Sequence, residues 1–272
     1  WVQSWPESRR KVMAMTENLV HYSTEGPVAR LTLDSPHNRN ALSSMLVAQL
    51  RDGLRRAADD AAVRAVVLGH TGGTFCAGAD LSEATGGDPW DAAVARAREL
   101  AALLRAIVEC PAPVIGAIDG HVRAGGMGLV GACDIVIAGP RSTFALTEAR
   151  IGVAPAIISL TLLPKLAPRA AARYYLTGET FSARRAAAIG LVTTTADDVG
   201  CAADAMTADL AKASPQGLAA AKALTTGTVL AGFDRDADRL AEESARLFVS
   251  EEAREGMLAF LEKRPPRWAR TL

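Results

Sequence analysis

The passage from Gly120 to Glu148 constrains this chain more than any other. Ahead of it, Pro113–Ile118 is short, apolar and β-branched, the pattern of a buried strand. Gly125 and Gly126 then permit close backbone approach and positive φ angles that a Cβ would obstruct. Met127–Ala132 is small or apolar throughout, which suits a helix packed on all sides. Such a helix aims unpaired N–H groups and the positive end of its dipole at whatever lies over the glycines. Ile135–Ala138 reads as the next strand, and Glu148 follows with Arg150 as its only charged neighbour in sequence. Donors aimed at one point beside a carboxylic acid suit the stabilisation of a developing oxyanion coupled to a proton transfer.

Gly126-Met-Gly128-Leu-Val-Gly131 also spells the G-x-G-x-x-G of a dinucleotide site. That motif needs a strand running straight into it and an acid at the end of the second strand. Here the strand stops at Ile118, and Glu148 comes well after the second strand has ended by Gly139. Nicotinamide or flavin binding is therefore not expected.

With 272 residues, 49% of them hydrophobic, the chain can bury a large core. Thirty basic residues balance thirty acidic ones, and no dense basic run is present, which argues against nucleic acid as a partner. Cys76, Cys110, Cys133 and Cys201 are widely spaced, without C-x-x-C or matching histidines. They read as reduced, buried thiols of a cytoplasmic protein, with neither a disulfide frame nor a metal site. No run is long and apolar enough to insert in a membrane. Trp1–Ala14 is basic but lacks the apolar core of a signal peptide, so an N-terminal extension (1–14) before a start at Met15 is expected.

In order along the chain, Val28–Asp34 alternates, with Ala29, Leu31 and Leu33 on the buried face. Ser35–Asn40 is a polar turn broken by proline. Ser43 or Ser44 can cap a helix whose apolar stripe is Val47, Leu50 and Leu54. Val63–Leu68 is a second buried strand, and a second glycine-rich exit runs to Leu81. Thr85–Pro89 reads as a flexible break. A helix from about Asp91 to Glu109 follows, burying Val94, Leu100, Leu104 and Ile107 and stopped by Pro111. Beyond Ile151 the periodicity is helical: Ser159–Leu166, Arg169–Thr177, Ser182–Ile189, Gly200–Ala213, Pro215–Leu230, Asp234–Phe248 and Glu251–Lys263. Strand, glycine turn and helix thus recur twice before a helical third, the pattern of an α/β core.

Four blocks, in order, resemble the crotonase (enoyl-CoA hydratase/isomerase) superfamily. They are Phe75-Cys-Ala-Gly-Ala-Asp80-Leu, Gly125-Gly126 with Ala132-Cys-Asp134-Ile-Val-Ile-Ala, the Ala171–Gly178 and Ala186–Val192 pair, and Glu255-Gly-Met-Leu-Ala-Phe-Leu-Glu-Lys-Arg. The resemblance spans about Thr16 to Trp268. It implies a crotonase-like ββα spiral core (15–198) followed by a C-terminal helical trimerisation region (199–272). It also implies a homotrimer or dimer of trimers acting on an acyl-CoA. Coenzyme A is then part of the substrate, and no further cofactor is expected. By the same resemblance, the N–H groups of Ala79 and Gly125 form the oxyanion hole, and Glu148 is the acid/base. Cys76, Ala77, Asp80, Leu81 and Gly126 flank the substrate, while Phe260 and Lys263 reach the CoA of a neighbouring subunit.

One departure matters. Hydratases of this family usually carry two glutamates, and alignment on Cys133-Asp134 places the missing one at Gly128. Two carboxylates suit the addition of water, whereas one suffices to move a proton between Cα and Cγ. Enoyl-CoA hydration is the expected activity, Δ-isomerisation using Glu148 alone the alternative, and silent acyl-CoA binding a remote third. Gly128→Glu is expected to be accepted by the helix and to add hydration. Arg123 stands where an aliphatic residue is usual. It is expected to pair with Asp119 or Glu148, to receive a second carboxylate on a glutaconyl-type acyl chain, or to bind a CoA phosphate.

Overall fold

The computed structural model describes residues 17–80, 83 and 88–269. The 1–14 extension, the start at Met15, Leu81 and the break before Pro89 at 85–87 lie outside the described residues. The architecture is mixed α/β, with two sheets and a helical C-terminal region.

The first sheet has six strands: β1 (Val20–Glu25), β2 (Val28–Leu33), β3 (Ala65–His70), β5 (Val114–Ile118), β7 (Ile135–Ala138) and β10 (Thr194–Thr195), in that spatial order. All neighbours are parallel except β1 and β2. The expected alternation in β2 holds, with Leu31 and Leu33 fully buried and Arg30 and Thr32 half-exposed. Its antiparallel partner β1 escapes the sequence pattern because it is an edge strand. Only Val20 of its six residues is buried.

The second sheet is made of β4 (Thr74–Cys76), β6 (His121–Arg123), β8 (Thr143–Ala145) and β9 (Phe181–Ser182), in that order. Its first three strands are parallel, with Cys76 beside Val122 and Arg123 beside Ala145. Each of these strands continues one from the first sheet: β3 leads to β4, β5 to β6 and β7 to β8. The unit of strand, short strand and helix therefore occurs three times rather than twice. In the third copy a 3-10 turn (Glu148–Ile151) stands in for the helix.

Helices α1 (Ser44–Asp59) and α2 (Pro89–Glu109) begin at real caps. Ser43 Oγ accepts from the Leu46 amide, and Asp88 Oδ1 accepts from Trp90 and Asp91. All eight residues of α3 (Gly125–Ala132) are buried, as their small, apolar composition requires. Then come α4 (Ser159–Leu162), α5 (Pro168–Thr177), α6 (Ala183–Ala188), α7 (Val199–Leu210), α8 (Pro215–Phe248) and α9 (Glu251–Leu261). The two helices expected over 215–248 are one helix of 34 residues. Gly232 costs such a helix only about 1 kcal/mol, and the burial of Phe233 beside it outweighs that. Three cysteines are buried as expected, but Cys201 is exposed on α7. Among the described residues, no helix is long and apolar enough to cross a membrane.

Candidate active site

Because β4, β6 and β8 are parallel neighbours, their C-terminal ends open side by side. Three segments distant in sequence thereby converge: Ala77–Ala79, Ala124–Gly125 and Thr147–Glu148. They line a cavity of about 450 Å³. Further walls are Leu42 and the start of α1, through Ser44 and Val47, then α2, through Ala93, Arg96, Ala97, Glu99 and Leu100, and the apolar run Ile151–Ile158. Helices α8 and α9 close it with Phe248, Met257 and Phe260. Of these walls, only Phe260 was expected from the sequence; the lining by α1, α2, 151–158 and α8 was missed. Their apolar residues carry no motif and show their role only once folded.

The backbone sets the direction of two N–H groups here. Leu42 N donates to Gly78 O at 2.7 Å, and Asp80 N donates to Leu42 O at 3.3 Å. This parallel bridge turns the N–H of Ala79, the residue between, away from Leu42. Gly125 occupies the first position of α3, where an amide has no intrahelical acceptor. Among the described residues, neither amide donates to any acceptor. The two turns are also in contact. Gly78 has φ 95°, and a Cβ there would lie 2.7 Å from the Ala124 Cβ and 3.3 Å from the Gly125 nitrogen. The positive φ expected of Gly125 or Gly126 falls instead on Ala124 (φ 46°), since both glycines are already helical.

Glu148 is 9% exposed and lines the same cavity. Burial lifts its carboxyl to about 7, partly offset by a hydrogen bond from its own amide. Its Oε2 is fully buried without a hydrogen-bond partner among the described residues. The turn that carries it is clamped by α9: a Cβ on Gly152 (φ 79°) would sit 2.7 Å from the Glu252 carbonyl carbon. Helix α9 is itself braced by Glu255, which Arg264 holds at 2.7 Å, so the Glu255–Arg264 signature seats the cover over Glu148.

The other residues singled out in the sequence divide. Ala77 and Phe260 line the cavity. Cys76 is wholly buried beneath it with its thiol pushed up to about 12 by burial, and Gly126 packs directly on Cys76. Asp80 is buried and accepts from Asn38 Nδ2 at 3.1 Å, which ties the Ala77–Asp80 turn to the Ser35–Asn40 loop. Lys263 is exposed beyond the end of α9 and does not line the cavity.

Arg123 is outside the cavity. Its guanidinium donates to Val122 O, Thr143 O and Thr143 Oγ1 at 2.7–2.9 Å along β6 and β8. Neither expected carboxylate partner engages it, and Asp119 is instead bound by Arg141. The geometric reason for expecting a carboxylated acyl chain is thereby removed.

Gly128 also differs from expectation. It is buried on α3, and a Cβ there would meet Ile158 Cγ2 at 2.5 Å and Leu104 Cδ1 at 3.1 Å. Ile158 therefore packs where a second carboxylate would emerge, and the helix cannot accept one by propensity alone. Gly128→Glu is now expected to destabilise the fold by overpacking, about 1–3 kcal/mol, with a further cost for the buried acid. A lowered melting temperature without a gain in hydration is the result expected.

The chain is similar to known proteins along most of its length. The enoyl-CoA hydratase/isomerase family model matches residues 23–271. A solved enoyl-CoA hydratase from Mycobacterium avium is 70% identical, with a TM-score of 0.88 over 93% of this chain and 100% of that one. A Thermus thermophilus relative provisionally named an enoyl-CoA hydratase is 35% identical over 90% of this chain and 98% of its own. A carnitinyl-CoA dehydratase from Proteus mirabilis is 32% identical over 93% of this chain and 99% of its own. The chain belongs to the enoyl-CoA hydratase/isomerase family of the crotonase superfamily.

Proposed function

We propose that the protein is an enoyl-CoA hydratase that adds water reversibly across the double bond of a 2-enoyl-CoA. One observation carries the reading. A buried carboxylate titrating near neutrality shares a mainly apolar cavity with two unengaged backbone donors. The thioester oxygen sits between the N–H groups of Ala79 and Gly125. Glu148 takes a proton from water as its oxygen bonds to Cβ, and the displaced electron pair moves onto the thioester oxygen. When the enolate collapses, the same carboxyl returns the proton to Cα. The balance closes with water as the only co-reactant, so the reaction needs no resident cofactor. Losing either donor typically costs about 3 kcal/mol of barrier.

A second reading is favoured by the packing of Ile158 against Gly128, which leaves Glu148 without a partner acid at that position. In that case Glu148 moves a proton between Cα and Cγ as an isomerase. Phe260, on the cavity wall near the C-terminus, and Lys263 beyond it are proposed to meet the CoA of a neighbouring subunit in a trimer or dimer of trimers. Crotonyl-CoA and a 3-enoyl-CoA assayed side by side test the function. Faster turnover of crotonyl-CoA to the 3-hydroxyacyl product is expected. Turnover of the 3-enoyl substrate alone would establish the isomerase, and tight binding of both without turnover a silent relative.

A further inference from the structure

Glu148 Oε2 is one of two fully buried side-chain polar atoms without a hydrogen-bond partner among the described residues. The other is the hydroxyl of Tyr175. Tyr175 lies on α5, which packs against the 3-10 turn carrying Glu148. The two elements are tied where Arg150 Nε donates to Thr177 O at 2.9 Å. Burial first, and then the Glu148 charge, pushes the Tyr175 phenol above its ordinary range. A phenol is a donor and an ionised carboxylate accepts only, so the two orphans are chemically complementary. Left apart, each carries a desolvation penalty that a shared bond would remove.

We propose that Tyr175 is a positioning residue for Glu148, its hydroxyl donating to Oε2 of the ionised carboxylate and leaving Oε1 to carry the proton. The role rests on Glu148 being the proton carrier, as argued above. It gives the site a polar group that was not among the site residues expected from the sequence.

The surrounding charges leave the pair to itself. Arg150, on the same turn, is spent on Thr177, and Arg173 on α5 is bound to Glu179. Tyr174 accepts from Arg185. On α9, Glu255 is held by Arg264 and Arg267, while Glu251, Glu252 and Arg254 are exposed. Across the cavity Glu83 is paired with Arg96, and Glu99 is half-buried beside them. Among the described residues, no other charged side chain sets the acidity of Glu148, which burial raises and its own amide lowers.

Tyr175→Phe removes one oxygen and keeps the ring, so the fold should be kept, with melting nearly unchanged at acid pH, where Glu148 is protonated. A donor to the charged form lowers the pKa of an acid, so its loss raises it. Infrared titration of the Glu148 carboxyl, assigned by difference against Glu148→Gln, should show its midpoint about one pH unit higher in Tyr175→Phe. That measurement needs no substrate. The low-pH limb of turnover should move by the same amount, with kcat about tenfold lower at pH 6 and KM unchanged. An unmoved carboxyl midpoint overturns the proposal whatever the activity. A Glu148→Gln variant as active as the parent overturns both this role and the assignment of Glu148 itself.

Discussion

Glu148→Gln is expected to lower turnover by roughly 10²–10⁴-fold with little change in CoA affinity, because the amide keeps the shape and loses the proton. Its setting makes the variant informative beyond rate. The carboxyl rises from 4.5 to about 7 on folding, driven by burial. A native state that holds its proton more tightly than the unfolded chain loses stability as pH rises from 4.5 to 7. Over that window the unfolded chain ionises first. The full cost above pH 7 is about 3 kcal/mol. Glutamine does not titrate, so the difference in stability between variant and parent should shift in favour of the variant by about that amount between pH 4.5 and 7.5. Thermal melts across the range measure it. The parent's hydration rate should rise with pH through about 7, since Glu148 must be ionised to accept the proton of water. Near-parental turnover in the variant would move the chemistry to another group, and a pH-independent stability difference would mean that Glu148 is not desolvated.

Lys222→Met is expected to cost about 3–5 kcal/mol of stability without touching the cavity. Lys222 projects from α8 into the core, 6% exposed. There its Nζ lies 2.7 Å from Asp134 Oδ2 and donates to Ile107 O at 2.9 Å and Ala112 O at 3.3 Å. Asp134 in turn accepts from the Val114 amide at 2.7 Å. One ammonium thus joins α8, the end of α2 and the starts of β5 and β7. Methionine preserves the volume. It leaves the largely buried Asp134 carboxylate, 15% exposed, with only the Val114 amide as partner among the described residues. That is costly for a charge so far from water. A fall in melting temperature of roughly 6–20 °C follows for a chain of this size. Adding Asp134→Asn, which removes the charge and keeps an acceptor for Val114, should recover most of it. A shift of a degree or less in the single variant would show that the pair contributes no net stability.

Asp134 shows why part of this molecule could be read in sequence and part could not. Its place in Cys133-Asp134-Ile-Val-Ile-Ala is visible as a motif, but its partner is remote in sequence and looks like any helical lysine. The strands that could be read, β2, β3, β5 and β7, carry buried faces that impose alternation or an apolar run. Those that could not, β4, β6 and β8, are three residues long and embedded in glycine turns, where pairing with neighbours creates the strand. Arg123 was placed near the acyl site by its position beside Gly125. On β6, however, its guanidinium is spent on Thr143. Gly128 resembled a vacancy because its own helix tolerates glutamate, and only the packing of Ile158 against it shows otherwise.

The sequence by itself determined the parts with local causes. The small residues let α3 lie buried on every side, the chain turns tightly before it, and one carboxylate, Glu148, follows in an apolar passage. The tertiary structure decided everything that depends on distance. It set three parallel strand ends side by side, so that Ala79, Gly125 and Glu148 face one cavity. It also pressed α9 onto the Glu148 turn and stripped that carboxylate of water. Desolvation is a property of what packs around a group, and part of what packs here, α9, comes from the far end of the chain.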